Sequence, residues 1–115
     1  MKKVVLFAFN GELMCFVHVL LNGLDMKEKG FVVKIVIEGS ATKLIPDLGV
    51  EGNLVNGPFK RAQAENLIDG VCKACATKMG TAEDAKALGI AMLSDMWGHP
   101  AMSNYLREGY EVITF

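Results

Sequence analysis

Two cysteines three residues apart, Cys72 and Cys75, lie in the segment Asp69-Gly-Val-Cys-Lys-Ala-Cys-Ala-Thr-Lys-Met-Gly80, between a stretch that reads as a strand and one that reads as a helix. A thiol where a helix begins meets free backbone N–H groups and the positive end of the helix dipole. Both favour the thiolate, and so nucleophilic sulfur near neutral pH. Such a pair serves as a redox dithiol, a sulfur carrier or metal ligands; as two small apolar residues it also packs a strand-to-helix turn. A structural zinc site takes about four ligands, and there is no second Cys-x-x-Cys, so no metal is expected.

His99, between Gly98 and Pro100, is held in a turn, where an imidazole acts as general base or hydrogen-bond donor beside a thiolate or simply faces solvent. Its neighbour Trp97 lines a pocket, meets another subunit or packs the core. Cys15 and His18 stand three apart on the side of the first helix away from its apolar stripe, as a solvated or subunit-facing side. Asn10-Gly11-Glu12 follows the first strand without the successive glycines of a dinucleotide fingerprint, and no Gly-Lys-Ser/Thr phosphate loop occurs. No cofactor is expected.

These side chains need a scaffold to bring them together. Val4 to Phe9 is a continuous apolar run, the pattern of a strand buried on both faces. Leu13, Val17, Leu20, Leu21 and Leu24 then recur at helical spacing up to Lys29, with Gly30 as a C-terminal stop. Phe31 to Ile37 is a second, β-branched strand; Glu38-Gly39-Ser40 turns the chain into a short helix ending at Leu44. Residues Pro46 to Pro58, with their glycines and asparagines, read as a loop, and helix resumes from Phe59 to Asn66. Leu67 to Val71 is the third strand, Thr77 to Leu88 a helix interrupted near Gly80, and Ala91 to Ser94 a weak fourth strand. Met102 to Glu108 is a short helix and Glu111 to Phe115 the last strand.

Strands alternating with helices over 115 residues predict a single α/β domain, a three-layer α/β/α sandwich around a mostly parallel five-stranded sheet. Ligands in such sheets gather outside the carboxyl ends of the strands. That edge receives Asn10 and Gly11 from the first strand, Gly39 and Ser40 from the second, Cys72 and Cys75 from the third, and Asp95, Trp97, Gly98 and His99 from the fourth. These residues form one expected constellation, with Cys72, Cys75 and His99 as its reactive members and the others as ligand-binding groups.

Composition narrows the partners. Twelve Lys and Arg balance thirteen Asp and Glu, without a basic stripe, which argues against nucleic acid and anionic membrane surfaces. No apolar stretch is long enough to cross a bilayer. Three cysteines, an odd number, fit thiols kept reduced in the cytoplasm better than a disulfide framework. At 51% hydrophobic residues, a chain this short has more apolar surface than one core hides, which predicts a homo-oligomer.

The opening strand and long first helix, the Cys72-x-x-Cys75-x-x-x-x-Gly80 turn and the Gly98-His99 loop together resemble the DsrE/DsrF-like family of small sulfur-relay proteins. The resemblance implies that Cys72, eight residues before Gly80, carries sulfur as a persulfide, with Cys75 resolving or assisting and His99 tuning protonation. It also implies trimers or hexamers with sites near subunit boundaries, and separate sulfur donor and acceptor proteins. Two other classes stay open: a non-catalytic oligomer that binds a small ligand or metal at the same edge, and a dithiol redox protein.

Overall fold

The computed structural model describes residues 1–115. The first apolar run forms β1, Lys3–Ala8, whose Val4, Leu6 and Ala8 face one side of the sheet while Val5 and Phe7 face the other; all five are buried. Burial on both faces is why its sequence shows no alternation. It is followed by α1 (Leu13–Glu28), β2 (Val32–Ile37), a 3₁₀ turn (Gly39–Leu44), α2 (Ile45–Leu48) and α3 (Asn56–Ala64). Then come β3 (Ile68–Cys72), α4 (Lys73–Met79), α5 (Ala82–Ala87), β4 (Met92–Leu93), α6 (Met102–Arg107) and β5 (Glu111–Thr114). No helix is long and apolar enough to cross a membrane.

The five strands form one sheet in the order β4-β3-β2-β1-β5, and every pairing is parallel. The helices that follow β1, β2 and β3 all pack on one face: Phe16, Leu20, Leu48, Phe59, Ala76 and Ala85 share a core with Leu6, Ile35 and Val71. Each large apolar side chain buried there contributes about 1.5–3 kcal/mol relative to exposure. The opposite layer is thin. Its only helix is α6, whose Tyr105 meets Val5, Phe7, Val36 and Tyr110. The sandwich therefore has three layers of very unequal thickness.

This inequality locates the crevice. After β3 the chain turns to the thick face through α4, and after β4 it turns to the thin face through α6. Connections that leave neighbouring strands toward opposite faces open a gap between the carboxyl ends of those strands. The gap lies between Cys72 and the loop that follows Leu93.

The element boundaries depart from expectation where turn-forming residues open helices. The segment expected to be a loop contains α2, with Pro46 in its first turn, and the first turn of α3, with Asn56, Gly57 and Pro58. The first N–H groups of a helix have no partner inside it, so a proline there loses little. Asn56 is buried and donates to the Leu48 carbonyl at 2.8 Å, which ties the two helices together. The helix expected from Thr77 begins at Lys73, because Cys72 caps it, and Gly80 stops it at φ +75°.

Candidate functional site

Cys72 is the last residue of β3 and the N-cap of α4. Its Sγ accepts the backbone N–H of Cys75 at 3.3 Å, the bond that Cys-x-x-Cys spacing allows when a helix starts at the intervening residue. Cys75 sits one turn along and is partly exposed, whereas Cys72 is fully buried.

His99 arrives from the β4–α6 loop on a tight hairpin. Met96 and His99 exchange both backbone hydrogen bonds at 2.8 Å, with Trp97 and Gly98 between them at φ +48° and +86°. Positive φ at both central residues is the mark of a type I′ turn. Gly98 takes that conformation freely; Trp97 does so at a cost of about 1–2 kcal/mol. The hairpin aims the imidazole inward, with Nδ1 3.0 Å from Cys72 Sγ and 3.6 Å from Cys75 Sγ. Cys72 Sγ also lies 3.7 Å from the Gly98 carbonyl oxygen.

A fourth group closes the cluster. The register that pairs Ile37 with Val71 sets the next residues, Glu38 and Cys72, side by side at the ends of β2 and β3. The Glu38 carboxylate, with a side-chain exposure of 12%, reaches to 3.7 Å from His99 Nδ1. One ligand atom from each of Glu38, Cys72, Cys75 and His99 lies within 4.8 Å of the other three. Sequence reading treats Glu38 as part of a turn. The signal that marks it is an acidic residue placed directly after the apolar run Ile35-Val36-Ile37, at the carboxyl edge.

The electrostatics overturn one expectation. A lowered Cys72 thiol was expected from its position at a helix start, but burial outweighs the amides of a seven-residue helix. Burial, followed by the side-chain interaction with Cys75, pushes the thiol up to about 12 against the lowering pull of the Cys75 amide. Burial likewise raises the Glu38 carboxyl, against the opposing pull of His99. At rest Cys72 is a thiol rather than a thiolate, and its proton has a ready acceptor in an imidazole nitrogen at 3.0 Å.

The other edge residues are placed apart from this cluster, with one exception. Gly98 belongs to it, through its carbonyl and through a 2.9 Å bond from the Ala74 amide. Asn10, Gly11, Gly39 and Ser40 shape the neighbouring β1 and β2 loops. Asn10 accepts from the Glu12 amide at 2.8 Å and Ser40 donates to the Phe9 carbonyl at 3.0 Å, while Gly39 turns against Phe9 at φ +59° and Gly11 passes over Ser40 and Lys43. Asp95 accepts from Asn104 on α6, on the thin face of the sheet. Trp97 points outward, 95% exposed, and lines nothing. Cys15 is a partly exposed free thiol and His18 is exposed, both on α1 and outside the group formed by Glu38, Cys72, Cys75 and His99.

The largest cleft, of about 500 Å³, lies on the thin face between Lys34, Asp69, Asp95, Asn104, Tyr105 and Glu108, and it includes neither cysteine. Its polar groups already pair with one another: Tyr105 donates to Asp69, which also sits 3.6 Å from Lys34. We place the chemistry at the thiol–imidazole cluster, where reactive groups converge, rather than in the largest space.

No family model matches the chain. It is 33% identical over 96 residues to the uncharacterized protein MJ0733 of Methanocaldococcus jannaschii, spanning 84% of this chain and 76% of that one. It is 39% identical over 59 residues to an uncharacterized protein of Archaeoglobus fulgidus, spanning 51% of this chain and 95% of that one. Among solved structures, a conserved protein of unknown function from Bacteroides thetaiotaomicron, BT1422, superimposes with a TM-score of 0.75 over 99% of this chain and 95% of that one, at 18% identity. At that identity the likeness is one of fold.

Proposed function

The chain belongs to the family of the Methanocaldococcus jannaschii protein MJ0733, and we propose that it is a sulfur carrier that holds a sulfane sulfur as a persulfide on Cys72. The observation that carries this reading is the 3.0 Å contact between Cys72 Sγ and His99 Nδ1 at the divergence of β3 and β4. With burial holding its thiol far above neutral, Cys72 is a thiol at pH 7, so a base within hydrogen-bond reach decides whether it attacks.

The difference in burial orders the steps. Cys75, the outer thiol, attacks the terminal sulfur of a donor persulfide R–S–SH; the donor S–S bond breaks, R–SH leaves, and Cys75 becomes Cys75–S–SH. Cys72 then attacks that same terminal sulfur as His99 Nδ1 takes its proton. Cys72–S–SH forms, the Cys75 S–S bond breaks, and the proton passes from His99 to the departing Cys75 sulfur. No net oxidation occurs, and the sulfur ends in the buried position.

The resemblance to DsrE/DsrF-like proteins supports this reading, and with it a homo-oligomer, a trimer or hexamer, served by separate donor and acceptor proteins. Exposed Met14, Leu21, Leu54, Trp97 and Leu106 offer apolar surface for such an assembly. The test is peptide-mapped mass spectrometry of metal-free protein after exposure to a sulfane-sulfur donor. A persulfide on Cys72, absent from Cys72→Ser and reduced in His99→Ala, supports the carrier. Only a Cys72–Cys75 disulfide, or unmodified thiols, overturns it in favour of dithiol redox or binding.

A further inference from the structure

We infer that Glu38, Cys72, Cys75 and His99 form a mononuclear site for a borderline-soft divalent cation of the zinc class. The inference shares the Cys72–His99 contact with the sulfur-carrier reading and adds Glu38, which that reading does not use. Three separate segments, the end of β2, the β3–α4 turn and the Trp97-Gly98 hairpin, deliver four donor atoms that all lie within 4.8 Å of one another.

The distances come near those of a tetrahedron. Metal bonds of about 2.3 Å to sulfur and 2.0–2.2 Å to nitrogen and oxygen give tetrahedral edges of roughly 3.3–3.8 Å. Of the edges around His99 Nδ1, 3.6 Å to Cys75 and 3.7 Å to Glu38 fall in that range and 3.0 Å to Cys72 is shorter, while all edges of the group lie within 4.8 Å, so the donors shift by some tenths of an ångström or more to close on an ion. One ring nitrogen thus faces two sulfurs and a carboxylate, a grouping that a cation at their centre binds together. The only ion-pair partner of Glu38 is this same imidazole; no lysine or arginine balances it.

The surroundings also hold the donors in place. The Cys75 amide donates to Cys72 Sγ, as a second-layer hydrogen bond that steadies a metal-bound thiolate. The Ala74 amide bonds the Gly98 carbonyl, which fixes the His99 hairpin against the cysteine helix. Two sulfurs, one nitrogen and one oxygen favour zinc over magnesium or calcium, which take oxygen donors. Four protein ligands fill a tetrahedron, so the ion has a structural or sensing role rather than a water-activating one. It also occupies Cys72 Sγ, so metal binding and sulfur loading exclude each other.

The test uses the full-length, reduced, chelator-stripped protein titrated with Zn²⁺ against a competing chromophoric chelator, and with Co²⁺ followed by absorption. One equivalent of Zn²⁺ is expected, together with tetrahedral Co²⁺ bands and a sulfur-to-cobalt charge-transfer band. Cys75→Ser, His99→Ala and Glu38→Gln should each weaken Zn²⁺ by about tenfold or more, and Cys15→Ser should leave it unchanged. The three weakened variants change partly exposed or edge positions, so they test the site even where Cys72→Ser fails to fold; circular dichroism confirms their folding. Substoichiometric Zn²⁺, Co²⁺ spectra without the thiolate band, or full affinity in His99→Ala and Glu38→Gln overturns the site. Because the carrier reading is scored by persulfide mass on metal-free protein, either reading can fail while the other holds.

Discussion

The backbone N–H of Ala74 donates to the carbonyl of Gly98 at 2.9 Å, joining the first turn of the cysteine helix to the hairpin that carries His99. The two residues also pack closely: a Cβ built on Gly98 would stand 3.2 Å from the Ala74 Cβ. The imidazole therefore reaches Cys72 through a main-chain link, and its position depends on Gly98 keeping both its conformation and its lack of a side chain.

Replacing Gly98 tests this dependence. At φ +86° an alanine is strained by about 1–2 kcal/mol, and its methyl group pushes against Ala74. Urea denaturation of Gly98→Ala should show a loss of about that size with an unchanged m-value, and the persulfide yield on Cys72 should fall as His99 shifts. Wild-type stability and yield together would mean that the hairpin does not position the base.

Trp97 predicts the opposite sign. It holds φ +48° with its indole 95% exposed, so a residue that tolerates the left-handed region relieves strain and forfeits no burial within this chain. Trp97→Asn, which makes the turn Asn-Gly, should raise unfolding stability by about 0.5–1 kcal/mol. If stability falls instead, the indole is buried against another chain, and a smaller mass by light scattering would identify that chain as a second copy.

The legible parts of the fold were those where a pattern has one physical cause. Val4 to Phe9 read as a strand buried on both faces from its short, unbroken apolar run, and Phe31 to Ile37 as a strand because it is compact and β-branched. The meeting of Cys72, Cys75 and His99 followed from the strand-edge rule. The starts of α2 and α3 were obscured because Pro46, Asn56, Gly57 and Pro58 break helices in the middle but are harmless in a first turn, and that of α4 because its cap is a cysteine. Glu38 was hidden for another reason. Its place beside Cys72 depends on the β2–β3 register, which skips at Asp69, and a register shift of that kind leaves no local mark.

Zinc should also act as a stabiliser. A cation that binds the native chain and not the unfolded one adds about 4 kcal/mol at a free concentration a thousand times its Kd. For a domain of this size that is a rise in Tm of roughly 10 °C or more. Differential scanning fluorimetry of reduced protein should show this rise with Zn²⁺, no rise with Mg²⁺, and a much smaller one in Cys75→Ser. Equal shifts in wild type and Cys75→Ser would place the ion elsewhere.

The thin face of the sheet predicts an alkaline instability. Tyr105 is buried edge-on to Phe7, with ring centroids 5.6 Å apart, and its hydroxyl donates to Asp69. Burial first, then the bond to Asp69, hold the phenol far above its ordinary value of about 10. Above pH 10 the unfolded chain releases this proton while the native chain keeps it, so the unfolded state binds fewer protons and stability falls as pH rises. Below pH 10 the contribution is fully present. One such group gives a slope of about 1.4 kcal/mol per pH unit. Tyr105→Phe loses the hydrogen bond to a charged acceptor, about 1.5–3 kcal/mol at pH 8. It should also lose that slope, so the wild-type and variant stability curves converge between pH 10 and 11.5 in urea titrations. Curves that stay parallel across that range would assign the alkaline loss to groups other than Tyr105.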